Sequence, residues 1–427
     1  MAAVATRVHQ ALHGYSDGHR ELASSISLSP KESKLVLVMS DVSGPGVASE
    51  GLSYLTGYPL PEAGVYAVAK TWPAAEMSRP GCVWTHTLFV DFADLASIDF
   101  PSRIARHFAR PSPEGWARYG KSLSIDFSEQ LVQEVFDPSE LEWLSRVLNA
   151  LYSAPHERVL ARRKSAIAVE SLVLDAWDQQ WPRLRRSFRF CTLTTKDRSI
   201  EGGAFDLQVA PALEFGVRAR IPGALDATDV SGVSSSSWLS SLIADIREPN
   251  VSGLRTTLRM LGADILAGRE AMRDLCEFHA LTAAGQNASN IDLAVSAVTG
   301  PQPLTASRIA KTRVVQLALD RIADLSDSSL RYLVEHLALV DSVSLKSNVN
   351  QIALAVWKWE PQKLLEMLQD EETAKFAKQA IRELPVEAVI DEWSRVIDPH
   401  VLLETRADLL ETPLFWSTPR CEVGRKK

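Results

Sequence analysis

The segment Ile221–Ser237, IPGALDATDVSGVSSSS, separates two halves of the chain that are written in different hydrophobic periods. Its Gly and Asp residues and its run of four serines lower the apolar content and give the backbone local hydrogen-bonding partners, which is the composition of an exposed connector. Upstream of it, short apolar runs alternate with Gly and Pro: RVHQAL from Arg7, RELASSISL from Arg20, VYAVAKTW from Val65 and CVWTHTLFVDF from Cys82. These read as strands. The last is apolar or aromatic on both faces, Trp84 and Leu88 on one and Val83 and Phe89 on the other, with His86 the main polar exception, so it is expected to be a central strand covered on both sides. Pro30 opens KESKLVLVMSDV, a helix with proline in its first turn that should end before the SGPG turn at Ser43–Gly46.

Further along, PSELEWLSRVLNALY from Pro138 and KSAIAVESLVLDAWDQQW from Lys164 carry apolar residues at three-to-four spacing, and FRFCTLTT from Phe188 and AFDLQVAP from Ala204 return to strand character. After Ser237 the strand signals nearly vanish. Amphipathic stretches follow one another from WLSSLIADI at Trp238 to VEAVIDEW at Val386, with Ser252, Asp327 or Ser328, and Asp370 placed as caps and Pro361 and Pro385 at first turns. The expected fold class is therefore α+β: a mixed α+β domain over residues 1–220, a linker over 221–237 and a helical array over 238–427 without a strict repeat period.

The chain has 427 residues, a net charge of -7 and 46% hydrophobic residues, enough for a sizeable core and unlike a disordered tail or a disulfide scaffold. No apolar run approaches the length of a membrane span, and the N-terminus lacks the pattern of a secretory signal. Four widely separated cysteines, Cys82, Cys191, Cys276 and Cys421, form no CxxC pair, which suits a reducing cytoplasm. The acidic balance supplies no general attraction to nucleic acid or membrane.

Three clusters carry possible chemistry. HQALHGYSDGH gathers His9, His13, Tyr15, Asp17 and His19 around two glycines, and His86 on the later strand is placed to meet His13 or Asp17 across the sheet. A His13/Asp17/His19/His86 group would serve a metal- or acid-base-dependent hydrolase, yet its spacing matches no zinc signature and a structural hairpin is the leading reading. Cys82 and His86 lie about 13 Å apart on one extended face, too far for a nucleophile pair. RLRRSFRFCT interleaves Arg183, Arg185, Arg186 and Arg189 with Phe188 and Phe190, a basic and aromatic mix that offers nucleic-acid contact or, more simply, a helix end passing into a core strand. Motifs for phosphate loops, dinucleotide binding, nucleophile elbows and HExxH metal sites are absent from the sequence, and SDVSGPG at Ser40–Gly46 lacks a phosphate-loop lysine, so no cofactor and no metal are expected.

HQALHGYSDGHRELASS (His9–Ser25), LTGYPLP (Leu55–Pro61), YAVAKTWPAAEMSRPGCVWTHTLFVDFADLA (Tyr66–Ala96), LRRSFRFCT and FDLQVAP resemble, in order and spacing, the N-terminal domain, type 1, of the GTPase-associated protein 1 family of bacterial NTP-dependent conflict and antiviral systems. The resemblance covers about the first 215 residues. It implies a non-catalytic adaptor, scaffold or sensor subunit that binds a GTPase or other NTPase in a multi-protein defence complex and responds to a phage-derived trigger; it brings no catalytic residues with it. The chain ends at PRCEVGRKK, sooner than long members of the family, so part of the coupling region is expected on another chain. In the helical half, Trp357, Trp359, Trp393 and Trp416 are the candidate partner contacts, each of which would otherwise fill helix-helix core.

Overall fold

The computed structural model describes residues 5–417 except 78, 129–135, 164–168, 200–202, 213–215, 230–235, 250, 284–286, 302 and 372; Cys421 and the middle of the expected linker lie outside the described residues. It forms two compact units, Met1–Glu277 and Phe278–Lys427.

The first unit is built on one sheet. Strands β1 (Thr6–Tyr15) and β2 (His19–Ser24) form a hairpin whose tip places Asp17 at φ 54° and Gly18 at φ 122°, left-handed conformations that Asp and Gly adopt most cheaply. Helix α1 (Pro30–Ser40) follows, with Ser29 accepting from the Glu32 amide and Pro30 at the first helical position. The Glu32 carboxylate accepts from the amides of Glu62 at 2.8 Å and Ala63 at 3.0 Å, which fixes the helix start to the turn between β3 (Tyr54–Leu60) and β4 (Val65–Pro73). Strand β5 (Val83–Asp91) comes next, then α2 (Phe92–Ser97) and β6 (Leu123–Ile125). Helix α3 (Pro138–Ser153) opens with a reciprocal cap between Asp137 and Glu140. It is followed by β7 (Arg158–Arg163), α4 (Val169–Asp178), α5 (Pro182–Ser187), β8 (Phe190–Cys191), β9 (Leu207–Pro211), α6 (Val217–Arg220) and β10 (Ala224–Asp226).

The strand order is β10-β7-β9-β8-β3-β4-β5-β1-β2, with β6 on β1. Strands β10, β7, β9 and β8 run parallel, whereas β3, β4, β5, β1 and β2 are an antiparallel run. Every residue of β5 except Asp91 is buried, so it is a central strand covered on both faces. Helix α1 and loop residues pack on its odd-numbered side with Tyr54, Tyr58, Ala67 and Phe89. On the other side Tyr66 stacks on Trp177 of α4 at 5.0 Å and Trp84 packs with Leu12 and Tyr119.

The strands expected from alternation are present, FRFCTLTT contracting to Phe190–Cys191. Strand β3 carries no alternation because every one of its residues is buried, and its Gly57 and Pro59 read as breakers. A Cβ on Gly57 would stand 2.3 Å from the Phe190 ring, which explains the glycine, and β8 pairs with Thr56 and Gly57 and stops short of Pro59.

Among the described residues no strand follows Asp226, so secondary-structure type changes at 221–237. Compactness divides elsewhere. Helices α7 (Ser237–Arg247) and α8 (Leu254–Asp264) pack on α3 and α5 within the first unit, and the division falls inside α9 (Met272–Ala283). The start of the expected linker is part of the sheet instead: β10 (Ala224–Asp226) pairs with β7, and Ile221, Asp226 and Ala227 are buried, because the alternation of a three-residue edge strand is too short to stand out from Gly- and Asp-rich surroundings.

The second unit continues through α10 (Ala288–Thr299), α11 (Arg308–Leu319), α12 (Asp327–Glu335), α13 (Ser342–Ser347), α14 (Val349–Trp359), α15 (Pro361–Glu366), α16 (Ala374–Glu383), α17 (Val386–Asp391), α18 (Pro399–Thr405) and α19 (Pro413–Trp416). Helices α10, α12, α14, α16 and α18 pack each on the next, and α17 packs on α19. That is stacking of alternate helices, the way repeat arrays bury stripes that no single helix can bury alone. The chain is α+β as a whole.

Candidate functional site

The register of the antiparallel strands lines up one row of polar side chains across four strands: His13 on β1 opposite Thr85 on β5, Thr85 opposite Thr71 on β4, and Thr71 opposite Tyr54 on β3. All four are buried on the face that α1 covers. Thr71 and Thr85 share a hydroxyl hydrogen bond of 2.8 Å, and Thr85 Oγ1 donates to the Ser40 carbonyl at the end of α1 at 2.6 Å. The Tyr54 hydroxyl accepts from the Ser43 amide at 3.0 Å. Arg198 reaches the same helix end, donating to the Met39 carbonyl at 2.9 Å and supplying the positive charge that the last turn of α1 lacks.

His19 closes the row at the surface. Its Nε2 lies 2.9 Å from Ser40 Oγ, and because Ser40 Oγ donates to the Leu37 carbonyl at 2.8 Å, His19 Nε2 is the donor. Ser40, itself fully buried at the end of α1, is therefore held as the acceptor from His19 and not as a donor to it. The rings of His13 and His19 stack at 6.3 Å. Burial, reinforced by the neighbouring His19, lowers the His13 pKa to about 3, and burial also lowers that of His19. His13 Nδ1 and Thr87 Oγ1 are buried without a hydrogen-bond partner.

His86 lies on the opposite face. It is opposite Leu12, whereas His13 is opposite Thr85, and neighbouring residues of a strand point to opposite sides. His86 Nδ1 accepts from the Ala109 amide at 3.2 Å, so its Nε2 carries the proton and donates to Gln10 Oε1 at 2.9 Å. Gln10 Nε2 in turn donates to the carbonyls of Lys121 at 2.6 Å and Arg118 at 3.1 Å. Phe108 and Tyr119 meet the imidazole edge-on at 5.6 and 4.8 Å. Burial first, and the nearby Arg118 charge second, lower the His86 pKa to about 3.

The expected four-residue group is thus divided: His13 and His19 come together, His86 is on the far face of the sheet, and the Asp17 side chain is 98% exposed beside Arg20 at 3.5 Å. His9 Nδ1 donates to the Ser25 carbonyl at 2.8 Å, a bond that ties β1 to the end of β2. No cluster of three or more metal-ligating side chains occurs among the described residues. Residues that sequence reasoning left out, Gln10, Ser40, Tyr54, Thr71, Thr85 and Arg198, supply most of the hydrogen bonding; the alternation of Thr85 with Trp84 was the one visible signal, and it reads as ordinary core.

Three of the four arginines of the RLRRSFRFCT segment are engaged within the fold, whereas Arg186 is exposed. Arg185 is fully buried, donating to the carbonyls of Ile98 at 2.8 Å and Leu95 at 3.2 Å. Arg183 donates to the Ile265 carbonyl, Arg186 lies 5.8 Å over the Phe92 ring, and the half-buried Arg189 faces Asp206. Phe188 and Phe190 are core. In the second unit Trp357 is fully buried with its indole donating to the Ala388 carbonyl, and Trp393 packs edge-on against Phe415 at 4.6 Å. Trp359, under Arg331 at 5.6 Å, and Trp416 are partly exposed. No helix among the described residues is long and apolar enough to cross a membrane.

Neither the curated proteins nor the solved structures contain a match to this chain. The family model of GTPase-associated protein 1, N-terminal domain type 1, matches residues 7–108, which span β1 to β5 with α1 and α2. The match includes both buried histidines and ends before the parallel strands, so the LRRSFRFCT and FDLQVAP blocks fall outside it. Over residues 7–108 the antiparallel strands β1 to β5, with the histidine-bearing hairpin, are thus what matches the GTPase-associated protein 1 N-terminal domain, type 1.

Proposed function

We propose that this chain is a non-catalytic adaptor of a cytoplasmic bacterial defence complex, in which the matched domain associates with a GTPase and the stacked helices of the second unit present further contact surface. The observation that carries this reading is the family match over residues 7–108, whose description is association with a GTPase. Two structural features support it. His19, His86, Ser40 and Thr85 of the matched domain hold α1 and the surrounding loops on the sheet, which is the work of a scaffold. Alternate-helix stacking in the second unit gives the extended surface that repeat arrays use for protein partners, with Trp359 and Trp416 as its partly exposed aromatics.

The test is purification of the full chain alone and with the GTPase encoded beside it, followed by co-elution and nucleotide-turnover measurements. Co-elution with no turnover by the isolated chain is the expected result. GTP or ATP hydrolysis by the isolated chain, or no association with the neighbouring GTPase, rejects the adaptor. In the same assay, Trp359→Ala combined with Trp416→Ala should weaken association about tenfold or more if these rings are anchors; unchanged association moves the interface to the matched domain.

A further inference from the structure

The end of α4 runs into four consecutive buried residues, Asp178, Gln179, Gln180 and Trp181, none more than 2% exposed. They meet Asp245 of α7 and Arg255 of α8. Asp245 Oδ2 accepts from Gln179 Nε2 at 2.8 Å and from Arg255 Nε at 2.7 Å, and Gln179 Nε2 also donates to the Leu242 carbonyl at 2.8 Å. Asp178 accepts from the Ser102 amide at 2.8 Å, while Arg185 Nη2 donates to the Asp178 carbonyl at 2.8 Å. A Cβ on Gly262 of α8 would stand 2.2 Å from the Trp181 indole, so the backbone of α8 lies directly against this corner.

The direct bonds leave polar atoms over on every side. Arg255 Nη1 and Nη2, Arg185 Nε and Trp181 Nε1 are buried donors without an acceptor. Asp245 Oδ1, Gln179 Oε1 and Gln180 Oε1 are buried acceptors without a donor. Folded proteins rarely strand one such atom, and a concentration of them marks a place where another molecule completes the bonding. Its chemistry follows from the inventory. Two guanidinium cations, Arg185 and Arg255, are already balanced by two carboxylates, Asp178 and Asp245. An anion placed on Arg255 would face the free oxygens of Asp245 and Gln179, and a cation placed on those oxygens would face Arg255. A neutral molecule that both donates and accepts satisfies both sets, and water is the smallest.

The geometry points to a buried hydration site at the junction of α4, α7 and α8, in which water accepts from the Arg255 guanidinium and donates to Asp245 Oδ1 and Gln179 Oε1. Buried waters usually make about three such bonds. The site joins α7 and α8 to the sheet unit through a solvent-bridged polar clasp, which goes beyond the adaptor reading and does not depend on it.

High-resolution crystallography of the full chain tests the site. The expected result is one or more ordered waters within hydrogen-bonding distance of an Arg255 Nη atom and of Asp245 Oδ1 or Gln179 Oε1. A dry junction in which Arg255 Nη pairs directly with Asp245 Oδ1, or density for a bound anion at Arg255, overturns it. In crystals of Arg255→Met, loss of that water while the Gln179 to Leu242 bond persists supports the assignment; density unchanged without the guanidinium overturns it. The wild-type result stands alone if the variant fails to fold.

Discussion

A buried histidine lies on each face of β5, its own His86 on one and His13 of the neighbouring β1 on the other, and the two end in opposite states. On the even-numbered face every ring nitrogen of His86 has a partner, and the network closes through Gln10 onto backbone carbonyls. On the face under α1, His13 sits opposite Thr85 with Nδ1 unpaired, although burial lowers both histidines to about the same pKa. Desolvation is thus the main cause of the perturbed titration in both places, with a neighbouring charge second, and hydrogen bonding distinguishes them. The difference teaches that a depressed histidine pKa in this fold records depth, whereas the partners tell which imidazole the structure is built around.

Among single substitutions the largest expected effect lies on the closed face. Trp84 is fully buried, its indole donates to Glu76 at 2.8 Å, and a Cβ on Gly14 would stand 2.2 Å from its ring. Trp84→Ala should cost about 3 to 5 kcal/mol by urea unfolding; a parent-like midpoint would show that this face is not the centre of the domain.

Acid comes next and tests what the faces share. A histidine whose folded pKa lies below its unfolded value takes up its proton more readily in the unfolded chain. Its stabilising contribution is whole above pH 6.5 and is lost as the pH falls toward about 3. Each of His13 and His86 should remove about 1.4 kcal/mol per pH unit across that window. Stability that is flat between pH 7 and pH 5 would mean that neither imidazole is desolvated.

Replacing each histidine by a residue of similar volume separates the faces. His86→Leu strands Gln10 Oε1 and the Ala109 amide and should cost about 2 to 4 kcal/mol at pH 7.5. Thr85→Val removes the hydroxyl that bonds the Ser40 carbonyl and Thr71, with an expected cost of about 1 to 2 kcal/mol. His13→Leu removes an atom that has no partner and should stay within about 1 kcal/mol of the parent. If His13→Leu is as damaging as His86→Leu in the same denaturation series, the contrast drawn between the faces is wrong.

The central position of β5, the start of α1 at Pro30 and the passage from helix to strand at Phe188 were legible because each is signalled locally, by alternation, by proline geometry or by spacing. The site was legible only as residue types. His9, His13 and His19 stand out in HGYSDGH, but whether His86 joins them depends on register, and a shift of one residue in β1 against β5 would exchange the faces. Ser40, Tyr54 and Arg198 come from a helix end, a strand without alternation and a loop more than 150 residues downstream of α1, which no local pattern connects.

The sequence by itself determined the α+β class, the strands that alternate, the helical character of the second half and the resemblance of its first hundred residues to a family model, since hydrophobic period, capping chemistry and ordered blocks of residues are properties of neighbouring positions in the chain. Tertiary structure alone decided that the parallel strands join the antiparallel ones in one sheet, that α7 and α8 belong with that sheet, and that the four polar residues of the hairpin and β5 do not form one centre. Strand register and helix docking depend on shape and hydrogen-bond complementarity between residues distant in the chain, so they exist only once the chain has packed.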